Sequence, residues 1–469
     1  MTVAHIINAI EFVFMLYFIG LNAVYLGLNV ISLFTVPRYM EMRALRELPQ
    51  VYSGLEPPIS IIAPAYNEQA IIVTSMRSML QLNYPEFELV VVNDGSKDET
   101  LEVLKREFKL VLFPEAYRDR LPSKPVRAIY RSKIYPNLRV IDKENGGKAD
   151  STNTGVNAAR YPLFCVIDSD SVLERDSLYN AVQPFLEDPR TVACGGTIRI
   201  ANGCRVSGGF LEEPGLPRNP LALFQVMEYL RAFLFGRLGW APMNALLIIS
   251  GAFGIFYKEK VVSVGGFRTD TIGEDMELVM RLHRVLTKKG VPYRIAFVPD
   301  PVCWTDAPED LRTLRSQRIR WQHGLGDSIR INRGLLFQRG SGFVGWLALP
   351  FFVIFEWLGP LVEVAGYIFV PFAYFLGFLS LSSMLIFFLL SVSLGVLCSV
   401  SSLLLEELSF HIYPKTRDVL WLFLAVIAEN LGYRQLNSYW RIRGLIEWLL
   451  GRKAKWGEMT RTATWQADN

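Results

Sequence analysis

Apolar and polar positions divide the chain into three regimes. Residues 6–35 are predominantly apolar and carry Glu11 as their only charge. That run exceeds the roughly 20 residues that cross a bilayer, and no basic stretch precedes it, which predicts a tilted N-terminal span rather than a signal peptide. Arg38, Arg43 and Arg46 follow at once, while the first five residues carry no Lys or Arg, so residue 36 onward is expected in the cytoplasm. A second apolar block, residues 343–404, holds only Glu356 and Glu363 as charges and is punctuated by Pro350, Pro360 and Pro371. At 1.5 Å per residue it supplies about 93 Å of helix, enough for two or three crossings. A further apolar stretch, Val419–Ile427, lies in a helix-like segment at 417–433. The tail behind it is basic (Arg434, Arg441, Arg443, Arg452, Lys453, Lys455), so an even number of crossings is expected. Three plus one satisfies this, and so does two with residues 417–433 in the interface. Carboxylates inside a span cost about 2.5–3.5 kcal/mol, so Glu356 and Glu363 either face an aqueous path or mark a bent segment at headgroup level.

Between these regions lie about 300 residues with a different grammar. ISIIAPAYNE (59–68) opens with a short β-branched run that stops at Pro64, the pattern of a buried parallel strand. Residues 69–82 show helical spacing. ELVVVNDGS (88–96) predicts a second strand, followed by a charged helix from about Lys97. LRVIDKENGGK (138–148) predicts a strand leading into a helix near Ala149, and FCVIDSD (164–170) a strand ending in acids. Strands alternating with helices predict a parallel, doubly wound α/β sheet, in which ligands bind beyond the carboxyl ends of the strands. Each of these ends is polar: Asn67 and Glu68, Asn93 and Asp94, Lys148, Asp168 and Asp170. Turn chemistry explains any one of them, but four in succession point to a nucleotide-type site. Residues 113–137, rich in proline and basic groups, read as an insertion at the sheet's edge.

Composition narrows the class. Apolar residues make up 51% and charged residues 20% of the 469, which excludes a disordered chain, a collagen-like fibre and a coiled coil. The net charge of +4, from 49 basic and 45 acidic residues, is too balanced for a nucleic-acid partner. Five scattered cysteines with no C-x-x-C pair exclude a disulfide framework and a structural zinc site. With four dispersed histidines, any metal must be held by oxygen ligands.

Four motifs carry chemistry. Asp168 and Asp170, two residues apart just past a strand, can share a hard divalent cation with a substrate diphosphate. Asn145-Gly146-Gly147-Lys148 places glycines, a helix start and a cation at a turn suited to phosphate. Asp275 of Gly273-Glu274-Asp275 stands near a helix N-terminus, either as a cap or as a general base for a hydroxyl. Gln317-Arg318-Ile319-Arg320-Trp321 joins arginine forks to an indole face, for phosphate and sugar, or forms a basic helix on a membrane surface.

In this order, Asn93-Asp94-Gly95, Asp168-Ser169-Asp170, Gly273-Glu274-Asp275 and Gln317–Trp321 resemble the membrane-embedded glycosyltransferase family 2, which contains cellulose, chitin, hyaluronan and poly-N-acetylglucosamine synthases. The resemblance covers residues 59 to about 325 and the layout of flanking apolar helices. It implies an α/β GT-A type fold, a Rossmann-like mixed sheet flanked by α-helical transmembrane segments. The implied organisation is an N-terminal span at 1–36, a cytoplasmic catalytic domain at 37–330 with interface helices near 221–240 and 311–335, C-terminal transmembrane or interface helices at 343–433, and a basic cytoplasmic tail at 434–469. The protein would be multi-pass in the inner or plasma membrane.

The resemblance also implies roles. Tyr66 and Asp94 would contact the uracil and ribose of a UDP-sugar, with Ala65 and Glu68 in the same site and Lys148 near the diphosphate. Asp168 and Asp170 would flank the sugar-diphosphate and hold Mg²⁺ or Mn²⁺, Asp170 being the closer ligand. Asp275, beside Glu274, would deprotonate the acceptor hydroxyl, which attacks the anomeric carbon with inversion as UDP leaves. Gln317, Arg320 and Trp321 would complete the site, with Trp321 under the acceptor sugar and Arg320 near the diphosphate. Residues 221–240 would form an interface or acceptor-channel helix. Residues 246–260 would form a buried strand and turn, with Ser250 and Gly251 approaching the acceptor. The implied function is processive synthesis and export of a β-linked polysaccharide; the alternative is a single transfer to a lipid carrier or glycolipid. Its partners would be a UDP-sugar, a polysaccharide or glycolipid acceptor, the lipid bilayer and accessory export proteins. Two residues depart from the family's habit: Gly273, where Thr commonly precedes Glu-Asp, and Asn93, where cellulose synthases often have a second Asp. No barrel binding a cyclic dinucleotide is expected after Tyr433.

Overall fold

The computed structural model describes residues 3–46 and 54–452, so Lys453 and Lys455 of the basic tail lie outside the described residues. The described strands are β1 (Ile59–Ala65), β2 (Phe87–Asn93), β3 (Leu110–Leu112), β4 (Val126–Ser132), β5 (Leu138–Lys143), β6 (Leu163–Ile167), β7 (Val172–Leu173), β8 (Thr191–Ile200), β9 (Arg205–Ser207), β10 (Phe210–Glu213), β11 (Phe253–Tyr257) and β12 (Arg294–Thr305). Ten of them form one sheet in the order β3-β4-β5-β2-β1-β6-β11-β8-β12-β7, while β9 and β10 pair as a separate hairpin.

The continuous apolar runs of β1, β2, β5 and β6 are buried on both faces, as parallel strands require. These four strands run parallel at the centre, with Ala65 beside Asn93 and Asn93 beside Asp142. That register brings their polar carboxyl ends to one edge. The flanks depart from the all-parallel expectation. β4 is antiparallel to β5, and β11 lies antiparallel between β6 and β8. The sheet is therefore mixed.

Residues 113–137 are not simply an edge insertion. Val126–Ser132 forms β4 inside the sheet, and the proline-rich part before it is tied down by Asn157, whose Oδ1 accepts from the amides of Arg120 (3.1 Å) and Leu121 (3.0 Å). In 246–260, β11 is the expected strand, but Lys258–Ser263 is helical.

The first helix runs from Val3 to Arg46, and its Ala9–Arg43 portion is long and apolar enough to cross a membrane. In the second apolar block, Val344–Trp357 and Gly359–Phe375 meet that test only as a pair, bent by 42° at Leu358. The 29-residue helix Leu381–Ser409 follows. Thr416–Ala428 is helical, and Tyr433–Leu449 is a further helix rather than a free basic tail. It packs on the helix Leu311–Ile331: Arg441 donates to Gln322 Oε1 (3.1 Å), and Gln322 donates to the Trp357 carbonyl (2.8 Å). The glutamates of the apolar block are satisfied by protein. Glu356 accepts from the Tyr25 hydroxyl (2.6 Å) and pairs with Arg441 (3.1 Å), and Glu363 accepts from the Ser438 hydroxyl. Two ion pairs fasten the sheet to the apolar helices: Arg43 to Asp300 (2.7 Å), and the buried Arg199 to Glu406.

A candidate active site at the carboxyl edge of the sheet

The loop after β2 and the loop after β5 are built as one unit. Asp94 is buried, and its carboxylate accepts from Lys143 Nζ (2.9 Å), the Gly146 amide (2.9 Å), the Gly147 amide (2.7 Å) and Asn145 Nδ2 (3.1 Å). Those four donors fill the carboxylate's acceptor positions. Asp94 thus holds the phosphate-suited loop in place, a role the expected nucleotide contact did not include. Gly147 caps the helix Lys148–Ala158 at φ 89°, a conformation that favours glycine, and so aims Lys148 back over the strand ends. Asn93 donates to Asp142 (2.7 Å) and accepts from the Ser96 hydroxyl (2.6 Å). A second Asp at position 93 would set two buried carboxylates against each other, which accounts for that departure. Ala65 is buried beneath this surface, whereas the Tyr66 ring is 42% exposed and faces the cavity described below. The Glu68 amide is held by Thr100 Oγ1 (2.9 Å), which ties the loop after β1 to the helix Thr100–Glu107.

Asp168 ends β6 and binds the Lys148 ammonium, which also donates to the Gly251 carbonyl (3.1 Å). Burial opposes the Lys148 charge, but Asp168, Glu274 and Asp275 outweigh it and hold the ammonium above the ordinary lysine range. Glu274 and Asp275 open the helix Glu274–Lys288. Asp275 accepts from the Gly251 amide (2.9 Å) and from the Met276 amide (2.7 Å). These bonds hold one carboxylate at the mouth of the site. Burial pushes Glu274 up to about 7, with Lys148 opposing and Asp275 reinforcing the shift. Gly273 lies directly on Gly324 of the helix Leu311–Ile331: a Cβ at Gly273 would stand 2.9 Å from the Gly324 backbone. The missing threonine is therefore a packing requirement, because backbone cannot move aside.

That same helix delivers Gln317, Arg318, Arg320 and Trp321. Gln317 is buried, and its Oε1 has no hydrogen-bond partner. Arg318 turns away from the sheet to bind Glu228, and its guanidinium lies 4.6 Å from the Trp321 ring centroid. It fixes the indole, which remains 43% exposed. Burial lowers the Arg320 pKa against the pull of Glu274, Asp168 and Asp275.

One cavity of about 2230 Å³ gathers these groups. It begins at Tyr66, Asp94 and Lys148, passes Asp168, Asp170 and Asp275, then Gln317, Arg320 and Trp321, and continues between the apolar helices past Tyr25, Glu356 and Glu363. All the predicted site residues open onto it. Sequence reasoning missed Gly324 and the places of Arg237 and of Arg441, read there as a tail residue, on this cavity. None stands in a motif, and a run such as LFGRLGW hides a buried cation among apolar neighbours.

The donor set at β6 suits a hard cation. Asp168 and Asp170 offer only oxygen, and no group of three or more His, Cys, Asp and Glu forms a metal cluster among the described residues. Two carboxylates, with remaining positions left to waters and substrate phosphates, are the Mg²⁺ pattern.

Comparison with other proteins agrees with this geometry. The chain matches the glycosyl transferase family 2 over residues 60–208 and the glycosyl transferase family group 2 over residues 163–400. It is 30% identical over 269 residues to a poly-β-1,6-N-acetyl-D-glucosamine synthase of Staphylococcus aureus and 28% identical over 267 residues to that of Staphylococcus epidermidis, each match covering 57% of this chain. Those matches cover 54% of each relative, so the chain spans about half the length of the curated relatives it matches. A mannosyltransferase from Pyrobaculum calidifontis, solved with GDP-Man and Mn²⁺, shares the fold at a TM-score of 0.50 and 18% identity, over 94% of this chain and 100% of that one. With more than half of its residues matched by the second family description and its acids gathered at the carboxyl edge of a mixed α/β sheet, the chain belongs to glycosyltransferase family 2.

Proposed function

We propose that this protein is an inverting membrane transferase that moves N-acetylglucosamine from UDP-N-acetylglucosamine to the growing end of a β-linked polysaccharide. The observation that carries this reading is the unbroken cavity from the strand ends, past Asp275 and Trp321, to the space between the apolar helices. A single-turnover site needs a pocket, whereas a growing polymer needs a pocket with an exit. The curated relatives, named for synthesis of such a polymer, support the same choice.

In this reading Tyr66, with Ala65 and Glu68, borders the nucleotide, while Asp94 shapes the loop that receives the diphosphate. Asp168 and Asp170 would hold Mg²⁺ or Mn²⁺, which when bound neutralises the leaving diphosphate. Lys148 and Arg320 add fixed positive charge there. Trp321 supports the acceptor sugar, and Gln317 meets its polar edge. Asp275 takes the proton of the acceptor hydroxyl, with Glu274 beside it. The oxygen bonds to the anomeric carbon, the bond to the diphosphate breaks, UDP carries off the electron pair, and the α configuration becomes β. The helix Val3–Arg46 anchors the chain in the plasma membrane with the catalytic domain in the cytoplasm, and the helices after residue 343 complete a multi-pass exit path that hands the polymer to export proteins.

Protein purified in detergent, given Mg²⁺ or Mn²⁺ and a panel of UDP-sugars, should release UDP from UDP-N-acetylglucosamine and form a high-mass product. Failure to release UDP from any donor defeats the enzyme reading. A product that is a lipid bearing one sugar replaces the polymer reading with transfer to a lipid carrier.

A further inference from the structure

Arg237 ends a π-wound segment, Arg231–Arg237, that continues the helix Pro220–Leu230. Such winding is rare and concentrates at functional sites. Its two terminal arginines go separate ways. Arg231 turns to the C-terminal helices, where it pairs with Glu429 and donates to the Ser399 hydroxyl (2.6 Å). Arg237 opens onto the cavity that Asp275, Gln317 and Trp321 share. Its guanidinium lies over the Phe233 ring, 3.8 Å from the centroid. Phe233 is itself buried, with Phe297 at 6.3 Å and Tyr229 at 5.6 Å between ring centroids.

This cation is held but not answered. Its Nη1 is buried without a hydrogen-bond partner, and it forms no ion pair among the described residues. Leaving a buried donor unmet is unfavourable, and a ligand oxygen in the cavity would remove that cost. Burial draws Arg237 down to about 10, with Asp275 pulling the other way, so it stays charged at neutral pH. A guanidinium only donates, so its partner must be an oxygen. The diphosphate end of the cavity already has Lys148 on Asp168. Asp275, the proposed base, is the acid that acts on Arg237.

We propose that Arg237 binds the acceptor sugar, donating hydrogen bonds to its hydroxyl or amide-carbonyl oxygens beside the hydroxyl that Asp275 deprotonates. The inference rests on the transferase reading above and assigns Arg237 to the acceptor rather than to the UDP-sugar. The test uses the full chain in detergent and a soluble β-linked N-acetylglucosamine oligomer as the probe. Binding of the oligomer without donor, read by tryptophan fluorescence, should weaken roughly tenfold or more in Arg237→Met, the loss expected for one charged hydrogen bond. UDP affinity should stay within about twofold, and Arg237→Lys should recover part of the oligomer binding, since it restores charge without the planar fork. Equal oligomer affinity in wild type and Arg237→Met overturns the assignment, as does a loss of UDP binding as large as the loss of oligomer binding. If Arg237→Met does not fold, Arg237→Lys decides alone: wild-type oligomer binding overturns the proposal and weakened binding supports it. Wild-type protein that binds the oligomer but turns over no UDP-sugar counts against the transferase reading and not against this subsite.

Discussion

Asp94 and Arg237 stand on one cavity, and the fold treats them in opposite ways. Asp94 accepts from four protein donors before any ligand arrives. Arg237 Nη1 and Gln317 Oε1 are as hidden from water yet have no partner. The first arrangement spends its polar groups on shape, and the second keeps them for a ligand. In the proposed reading the nucleotide-sugar is the same at every turn, so a loop fixed in advance suits it. In that reading the acceptor slides, which needs contacts that form and release, and unanswered donors and acceptors would supply them.

The contrast can be broken at several points. Asp275→Asn should lower transfer about 10³-fold, within the usual reach of a general base, while UDP affinity measured by calorimetry stays unchanged. A variant with full activity would remove the base from Asp275. Asp94→Ala should cost about 3 kcal/mol in chemical unfolding and weaken UDP binding, because it takes one of two carboxylates from buried Lys143, which keeps Asp150, and leaves two loop amides unmet. Gln317→Ala should change stability by less than about 0.5 kcal/mol while slowing elongation, since its Oε1 has no protein partner to lose. Equal stability losses in these two variants would erase the distinction. Gly273→Thr should destabilise by about 2 kcal/mol, and Gly324→Ala should do the same, because each inserts atoms against backbone. A pH-dependent effect concerns Glu274. Its folded pKa of about 7 stands above the ordinary 4.5, so its contribution to stability is present below pH 4.5 and lost as pH rises through about 7. Glu274→Gln, followed by thermal unfolding in metal-free buffer, should flatten that fall by on the order of 1 kcal/mol. An unchanged pH profile would place Glu274 in a more solvated setting.

Much of this site is legible in the sequence because it sits where the chain changes grammar. The β-branched runs of β1, β2, β5 and β6 stop at Asn, Asp, Lys and Glu, and parallel pairing puts those stops on one edge. What the pattern does not carry is which polar group faces the cavity and which faces the protein. Asp94 and Asp168 look alike as residues after a strand, yet Asp94 is filled by Gly146 and Gly147 from 52 and 53 positions away. Asn93 becomes intelligible only once Asp142 is its neighbour. The basic residues after 433 read as a tail because charge is averaged along the chain. In three dimensions Arg441 finds Glu356, and the segment becomes a helix against the one that carries Trp321. Pro122 and Pro125 just before Val126–Ser132 hide its strand pattern in the sequence.

Asp300 has a practical side. It lies in β12, is 1% exposed, and takes Arg43 at 2.7 Å and the Tyr39 hydroxyl from the first helix. Cutting the chain at the loop before β1 to obtain a water-soluble catalytic fragment would take Arg43 and the Tyr39 hydroxyl away from that buried carboxylate. Breaking such a pair from one side costs about 3–5 kcal/mol, a large part of a domain's whole stability. The first helix thus doubles as a folding cofactor in cis, and expression strategies should keep its last turns even when its long apolar portion is removed.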